Sequence, residues 1–175
     1  MKPTLLTLAA LAGTSFLYAQ NPLSNELRAN YAQIKADVTK AAADMPEAEY
    51  GFVPGAGSRT YGQAVVHIAQ VQSALCAMAQ GEQPKAIDAT KTTKADAVAA
   101  LAATFEYCDP IYAALTDQNG MTMTKMFGQD RTRFGVLNFG VIHDNEMYGT
   151  LAVYLRAKGT VPPSSAGRGG MGKKK

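Results

Sequence analysis

Four stretches of this chain repeat their apolar residues in steps of three and four, and no alternation long enough to read as a strand stands beside them. That pattern restricts the architecture to packed helices. The first stretch opens with Asn21-Pro22, an N-cap asparagine and a proline at the first helical position, where a missing N–H costs nothing. Leu23, Leu27, Tyr31, Ile34, Val38, Ala41 and Met45 then share one face, and Pro46 ends it. In the second, Thr60 and Gln63 have capping-box spacing, Ala64, Ile68, Val71, Leu75 and Met78 form the stripe, and Gly81 stops the helix after Gln80. Thr93 and Asp96 cap the third, whose narrow seam is Val98, Leu101, Phe105, Cys108, Tyr112 and Leu115. Pro110 lies within it and removes the hydrogen bond to the Glu106 carbonyl, which predicts a kink costing on the order of 3 kcal/mol if uncompensated. The fourth is the longest. Asp130 is its expected N-cap, and Leu137, Val141, Tyr148, Leu151 and Leu155 form its stripe. Arg156 and Lys158 oppose the negative end of the dipole, Gly159 caps, and Pro162 and Pro163 bar continuation.

Two connections are long. Pro46 to Arg59, PEAEYGFVPGAGSR, carries Tyr50, Phe52 and Val53, too apolar for a solvated linker. They are expected to fold back on the domain, as a plug on the core or as a lid over a pocket. Thr116 to Gln129 reads as a loop and holds Met121, Met123 and Met126. The expected fold is therefore all-α, a four-helix bundle with long connections over residues 21–162. Residues 163–175 contain too little apolar surface to pack and read as a disordered basic tail.

Residues 1–20 have the layout of a secretory signal peptide: Lys2, an apolar run from Leu5 to Leu17, then Ala19 at the cleavage point. The run is short for a membrane span, and no cysteine follows it to carry a lipid, so no membrane anchor is expected after cleavage. The expected location is the periplasm or the exterior. Export makes a disulfide permissible between Cys76 and Cys108, one on and one beside the apolar stripes of consecutive helices. Two inert buried thiols are the alternative. Neither cysteine has a sequence-local base to activate it. A net charge of +3, partly at the chain ends, with no basic stripe, gives nucleic-acid binding no support. Gly55 and Gly57 lack the lysine and spacing of a phosphate-binding loop.

The chain has two histidines. His67 lies beside the second stripe, three after Ala64. His143 and Met147, four apart, project from one face of the fourth helix, close enough to share a ligand.

The segments MPEAEYGFVPGAGSRTYGQAVVHIAQ and HDNEMYGTLAVYLRAKGTVPPSS, with the helix order, resemble the DinB-like (YfiT-like) four-helix bundle superfamily. The likeness covers essentially the whole chain after residue 20. It is greatest to exported members with one cysteine in each of the second and third helices. The resemblance implies a divalent metal held by three histidines, one from the second helix and two from an H-x-x-x-H pair on the fourth. In some members a low-molecular-weight thiol reacts at that metal in transfer or isomerisation. His67 matches the first ligand and His143 the second, but Met147 occupies the third position. A thioether is a poor ligand for zinc or nickel and an acceptable one for copper(I).

Three readings of the pair follow. The histidines are hydrogen-bonded core residues, with Tyr148, Asp144 or a water as partner. Or they hold a weakened metal with a carboxylate, Asp144 or Glu146, and water. Or Met147 joins them around copper(I), or in holding haem, for which no C-x-x-C-H is present. The expected function is an exported binding or structural protein with a degenerate site, its zinc or nickel weakly bound or absent. The alternative is a metal-dependent hydrolase or thiol-type transferase using His67, His143 and a carboxylate. Whether it is an enzyme stays open. The expected partner is an unidentified small molecule, and homodimers are common among relatives, although no residue here compels one.

Overall fold

The computed structural model describes residues 21–166; the expected signal peptide and the end of the basic tail lie outside the described residues. In chain order the elements are α1 (Pro22–Asp44), α2 (Tyr61–Gln80), α3 (Lys94–Ala113), the single turn α4 (Asp117–Gly120), β1 (Met123–Met126), β2 (Gln129–Thr132), α5 (Arg133–Ala157) and the single turn α6 (Pro163–Ala166). A 3-10 turn at Glu47–Glu49 follows α1.

The four long helices start where hydrogen bonding lets them. Thr60 accepts from the Gln63 N–H while the Gln63 side chain accepts from the Thr60 N–H, which completes the expected capping box. Thr93 caps α3 in the same way through the Asp96 N–H. Asn21 does not cap α1 with its own side chain. Asp117 does so instead, its Oδ1 accepting from the Ser24 N–H at 2.8 Å, while Asn21 Oδ1 accepts from the Asp117 N–H at 2.9 Å. The starts of α1 and α4 thus cap each other.

The segment expected as a loop from Thr116 to Gln129 contains α4 and an antiparallel hairpin, with Met123 opposite Thr132 and Met126 opposite Gln129. Phe127 and Gly128 turn it, both at positive φ (50° and 81°), as a two-residue mirror-image turn requires. The hairpin covers the end of α2, where the last carbonyls of a helix lack intrahelical donors. Thr124 donates to the Met78 carbonyl at 2.6 Å and Arg133 to the Ala79 carbonyl at 2.9 Å. The N-cap of α5 is therefore Thr132, accepting from the Gly135 N–H, and not Asp130, which lies on β2 and pairs with Lys125 at 2.6 Å.

At the other end of α5, Gly159 at φ 75° lets the Thr160 N–H reach the Leu155 carbonyl at 2.9 Å, closing the helix as expected. Lys158, at the C-cap, reaches outside its own helix. It pairs with Glu49 at 2.7 Å and sits 3.9 Å over the Phe52 ring, pinning the first long connection. Tyr50 is buried and donates to the Ala42 carbonyl, whereas Val53 stays exposed. That connection is a plug at Tyr50 and Phe52. The packed chain also runs one turn past the expected boundary at residue 162, because Ser164 donates its N–H to the Tyr148 hydroxyl at 2.8 Å.

α2 packs on α3 and α5, and α1 packs on the same two helices, so α1 and α2 face each other diagonally. Both long connections therefore cross a diagonal, which is why they are long. Cys76 and Cys108 join α2 to α3, their sulfurs 2.08 Å apart. α3 continues through Pro110 to Ala113. Among the described residues no helix is long and apolar enough to cross a membrane.

Candidate functional site

At Gly140 of α5 the absence of a Cβ leaves room for the Gln72 side chain of α2, since a Cβ there would lie 2.7 Å from Gln72 Oε1. One turn further along α5, His143 meets His67 of α2. Their Nε2 atoms are 3.4 Å apart and the rings are inclined at 68°. Two nitrogens bound at about 2.0 Å to one ion, at tetrahedral to trigonal angles, stand roughly 3.3–3.5 Å apart. The pair is spaced as two ligands of one ion are, and it is long for a direct hydrogen bond.

The far side of His143 is held by its neighbour in sequence. Nδ1 lies 3.3 Å from Asp144 Oδ1, and the Asp144 side chain is 1% exposed. A carboxylate there assigns the proton to Nδ1 and leaves the Nε2 lone pair directed at His67. Burial pushes the Asp144 carboxyl up from its ordinary range, with the His143 contact pulling the other way. Its Oδ2 has no hydrogen-bond partner among the described residues. His67 is shifted down by burial, then by Arg59 and by His143, so its neutral, ligand-competent form is favoured.

Met147 is 8% exposed. It lines a cleft of about 520 Å³ with Ser58, Arg59, Ala64, Glu146 and Tyr154. Ala64 precedes His67 by nearly one turn and Met147 follows His143 by one. The cleft thus lies about one helical turn from the histidine pair, and neither histidine lines it. Glu146 is exposed at its rim, and Tyr154 donates to the Arg59 carbonyl at 2.8 Å, fixing the wall that residues 57–59 of the first connection supply. A larger cleft of about 600 Å³ lies elsewhere, between α1 and α3, where Lys35 is already neutralised by Asp109 at 2.6 Å.

The expected site residues His67 and His143 are brought together, whereas Met147 lines the neighbouring cleft, whose walls include neither histidine. Of the proposed histidine partners, Asp144 contacts His143, whereas Tyr148 turns to Ser164. No group of three His, Cys, Asp or Glu side chains able to hold one ion exists among the described residues. The nitrogen donors brought together are therefore two imidazoles, which does not fit a three-histidine zinc or nickel centre.

Sequence reasoning missed Gln72. It is fully buried, donates to the Tyr112 hydroxyl at 3.3 Å, and leaves Oε1 without a partner among the described residues. Its signal was available: a polar residue four after Ile68 and four before Cys76, on the core side of α2.

The family model of the DinB superfamily matches residues 30–151. Two solved structures share the fold. A DinB-like protein from Bacillus cereus ATCC 10987 has 14% identity and a TM-score of 0.70, over 82% of this chain and 97% of that one. A DinB-like protein from Bacillus subtilis has 18% identity and a TM-score of 0.64, over 78% of this chain and 93% of that one. At such identities the likeness is one of fold. No curated protein matches the chain.

Proposed function

The chain belongs to the DinB superfamily, and from that membership we propose that it is an exported binding or structural protein built around a degenerate metal site. His67 and His143 are the retained ligands, and Met147 stands where a third nitrogen would be. The observation that carries this reading is the 3.4 Å Nε2–Nε2 separation in a chain with no third histidine. The cleft beside the pair, about 520 Å³, is of a size that takes a small molecule. The Cys76–Cys108 pairing supports export, since such bonds persist in oxidising compartments.

Nothing favours the hydrolase or transferase reading. It needs a carboxylate as third ligand, and Asp144 is committed to Nδ1 of His143 while Glu146 is exposed.

Metal analysis of the purified protein tests the proposal, with His67→Ala and Met147→His as comparisons. The wild type is expected to hold zinc or nickel well below one equivalent, and Met147→His to raise it towards one per chain. One tightly held equivalent of either metal in the wild type, lost on His67→Ala, would overturn the degenerate-site reading.

A further inference from the structure

We infer that the cleft of about 520 Å³ lined by Arg59, Glu146 and Met147 binds a small zwitterion, its carboxylate on Arg59 and its ammonium on Glu146. The inference rests on the reading of this cleft as the protein's small-molecule site, and it names the class of ligand.

Two elements wall the cleft. The end of the first connection brings Ser58 and Arg59, and α5 brings Glu146, Met147 and Tyr154. One cation and one anion therefore line a single space from distant parts of the chain. Among the described residues neither forms an ion pair, with the other or with a third group. The same connection and helix end do pair charges elsewhere, since Glu49 meets Lys158 at 2.7 Å. At Arg59 and Glu146 it is the backbone carbonyl that is engaged, by the Tyr154 hydroxyl at 2.8 Å and by the Thr150 hydroxyl at 3.3 Å. Tyr154 thus fixes the backbone of Arg59 and leaves its guanidinium unoccupied.

Those two charges select the ligand. A guanidinium presents paired N–H donors that match the two oxygens of a carboxylate, and a carboxylate accepts from an ammonium. An anion would satisfy Arg59 and be repelled by Glu146, and a cation would do the reverse. A molecule carrying both charges meets both and adds no net charge to the cleft. The lining also includes Ala64, Met147 and Tyr154, all buried, whose apolar surface suits an aliphatic side chain. Free α-amino acids and short peptides share this chemistry and differ in the distance between their charges.

Isothermal titration of the purified, disulfide-intact protein tests the assignment, with leucine, alanyl-leucine and ε-aminocaproate as zwitterions of increasing charge separation. Isocaproate and isoamylamine are the comparisons, since each keeps the apolar part of leucine and one of its charges. At least one zwitterion is expected to bind, one per chain, with isocaproate and isoamylamine weaker by about tenfold or more. The best of the three tells a free amino acid from a peptide or a longer amino acid. Arg59→Gln and Glu146→Gln should each weaken that zwitterion by about tenfold or more, and Lys91→Gln, exposed elsewhere, should not. Arg59→Gln should also close the gap to isoamylamine, and Glu146→Gln the gap to isocaproate, which a general loss of structure would not do. Both residues are exposed, and thermal melts confirm that the variants are folded. No binding of any zwitterion up to millimolar concentration, equal binding of a singly charged comparison, or unchanged affinity in either variant overturns the assignment. Zinc and nickel contents of the two variants should match the wild type, so that failure here leaves the degenerate-site reading to its own metal analysis.

Discussion

Asp144 stands behind His143, its Oδ1 3.3 Å from Nδ1, in a position that solvent does not reach. The carboxyl is held above its ordinary range by burial, with the His143 contact opposing. The folded protein therefore binds this proton more tightly than the unfolded chain does. Stability falls as pH rises from the unfolded carboxyl value through the raised folded value, and the cost is complete above it. Asp144→Asn should be more stable than wild type at neutral pH, by about 1 kcal/mol or more. That gap should close as pH drops below the ordinary carboxylate range. His67 works in the opposite sense. Its folded value is lowered, so stability is lost as pH falls below the ordinary histidine range, and His67→Gln should flatten that part of the profile. Denaturant midpoints for the three proteins across the acid-to-neutral range would read both effects. A wild type equal to Asp144→Asn at neutral pH would contradict the first.

Alanine at three glycines should give three different results. A Cβ on Gly62 would lie 2.1 Å from the Thr92 carbonyl oxygen, a backbone atom that α2 and the start of α3 hold in place. Gly62→Ala should cost about 3 kcal/mol or more. At Gly140 the nearest atom, 2.7 Å away, is the end of the Gln72 side chain, which can shift, so about 1–2 kcal/mol is expected. At Gly149, inside α5 with nothing within 4 Å, alanine should stabilise by about 0.5–1 kcal/mol. Chemical denaturation of the three variants checks the order, and a Gly149→Ala protein less stable than wild type would break it.

A thiol count on the unreduced, denatured protein should find no free cysteine, since Cys76 and Cys108 are paired. Their separation of 32 residues sets the loop that the bond closes in the unfolded chain. By the chain-entropy account, reduction should cost about 3–4 kcal/mol of stability. Two titratable thiols per chain before reduction would reject the pairing.

The long helices were legible because their signals are local. Thr60 with Gln63 and Thr93 with Asp96 announce helix starts within one turn, and Gly81 and Gly159 announce the ends. The hairpin was missed although Met121, Thr122, Met123 and Thr124 alternate and Gly128 marks a turn. Its strands have four residues each and gain their stability by capping α2, so no apolar periodicity distinguishes them from a loop. Missing it also displaced the N-cap of α5, because Asp130 and Thr132 are both good caps and only the hairpin register selects between them.

By itself the sequence determined where the helices run, which faces are apolar, and that His67, His143 and Met147 stand on or beside the core-side faces. These follow from spacing within a helical turn. The tertiary structure alone decided that His67 meets His143 with the rings inclined at 68°, that Asp144 turns to the back of one ring, and that Asp117 caps a helix start 93 residues away. Those contacts depend on how one helix is rotated and shifted against another. That rotation is set by the whole packed core, including the space Gly140 leaves for the Gln72 side chain, and no local repeat along the chain encodes it.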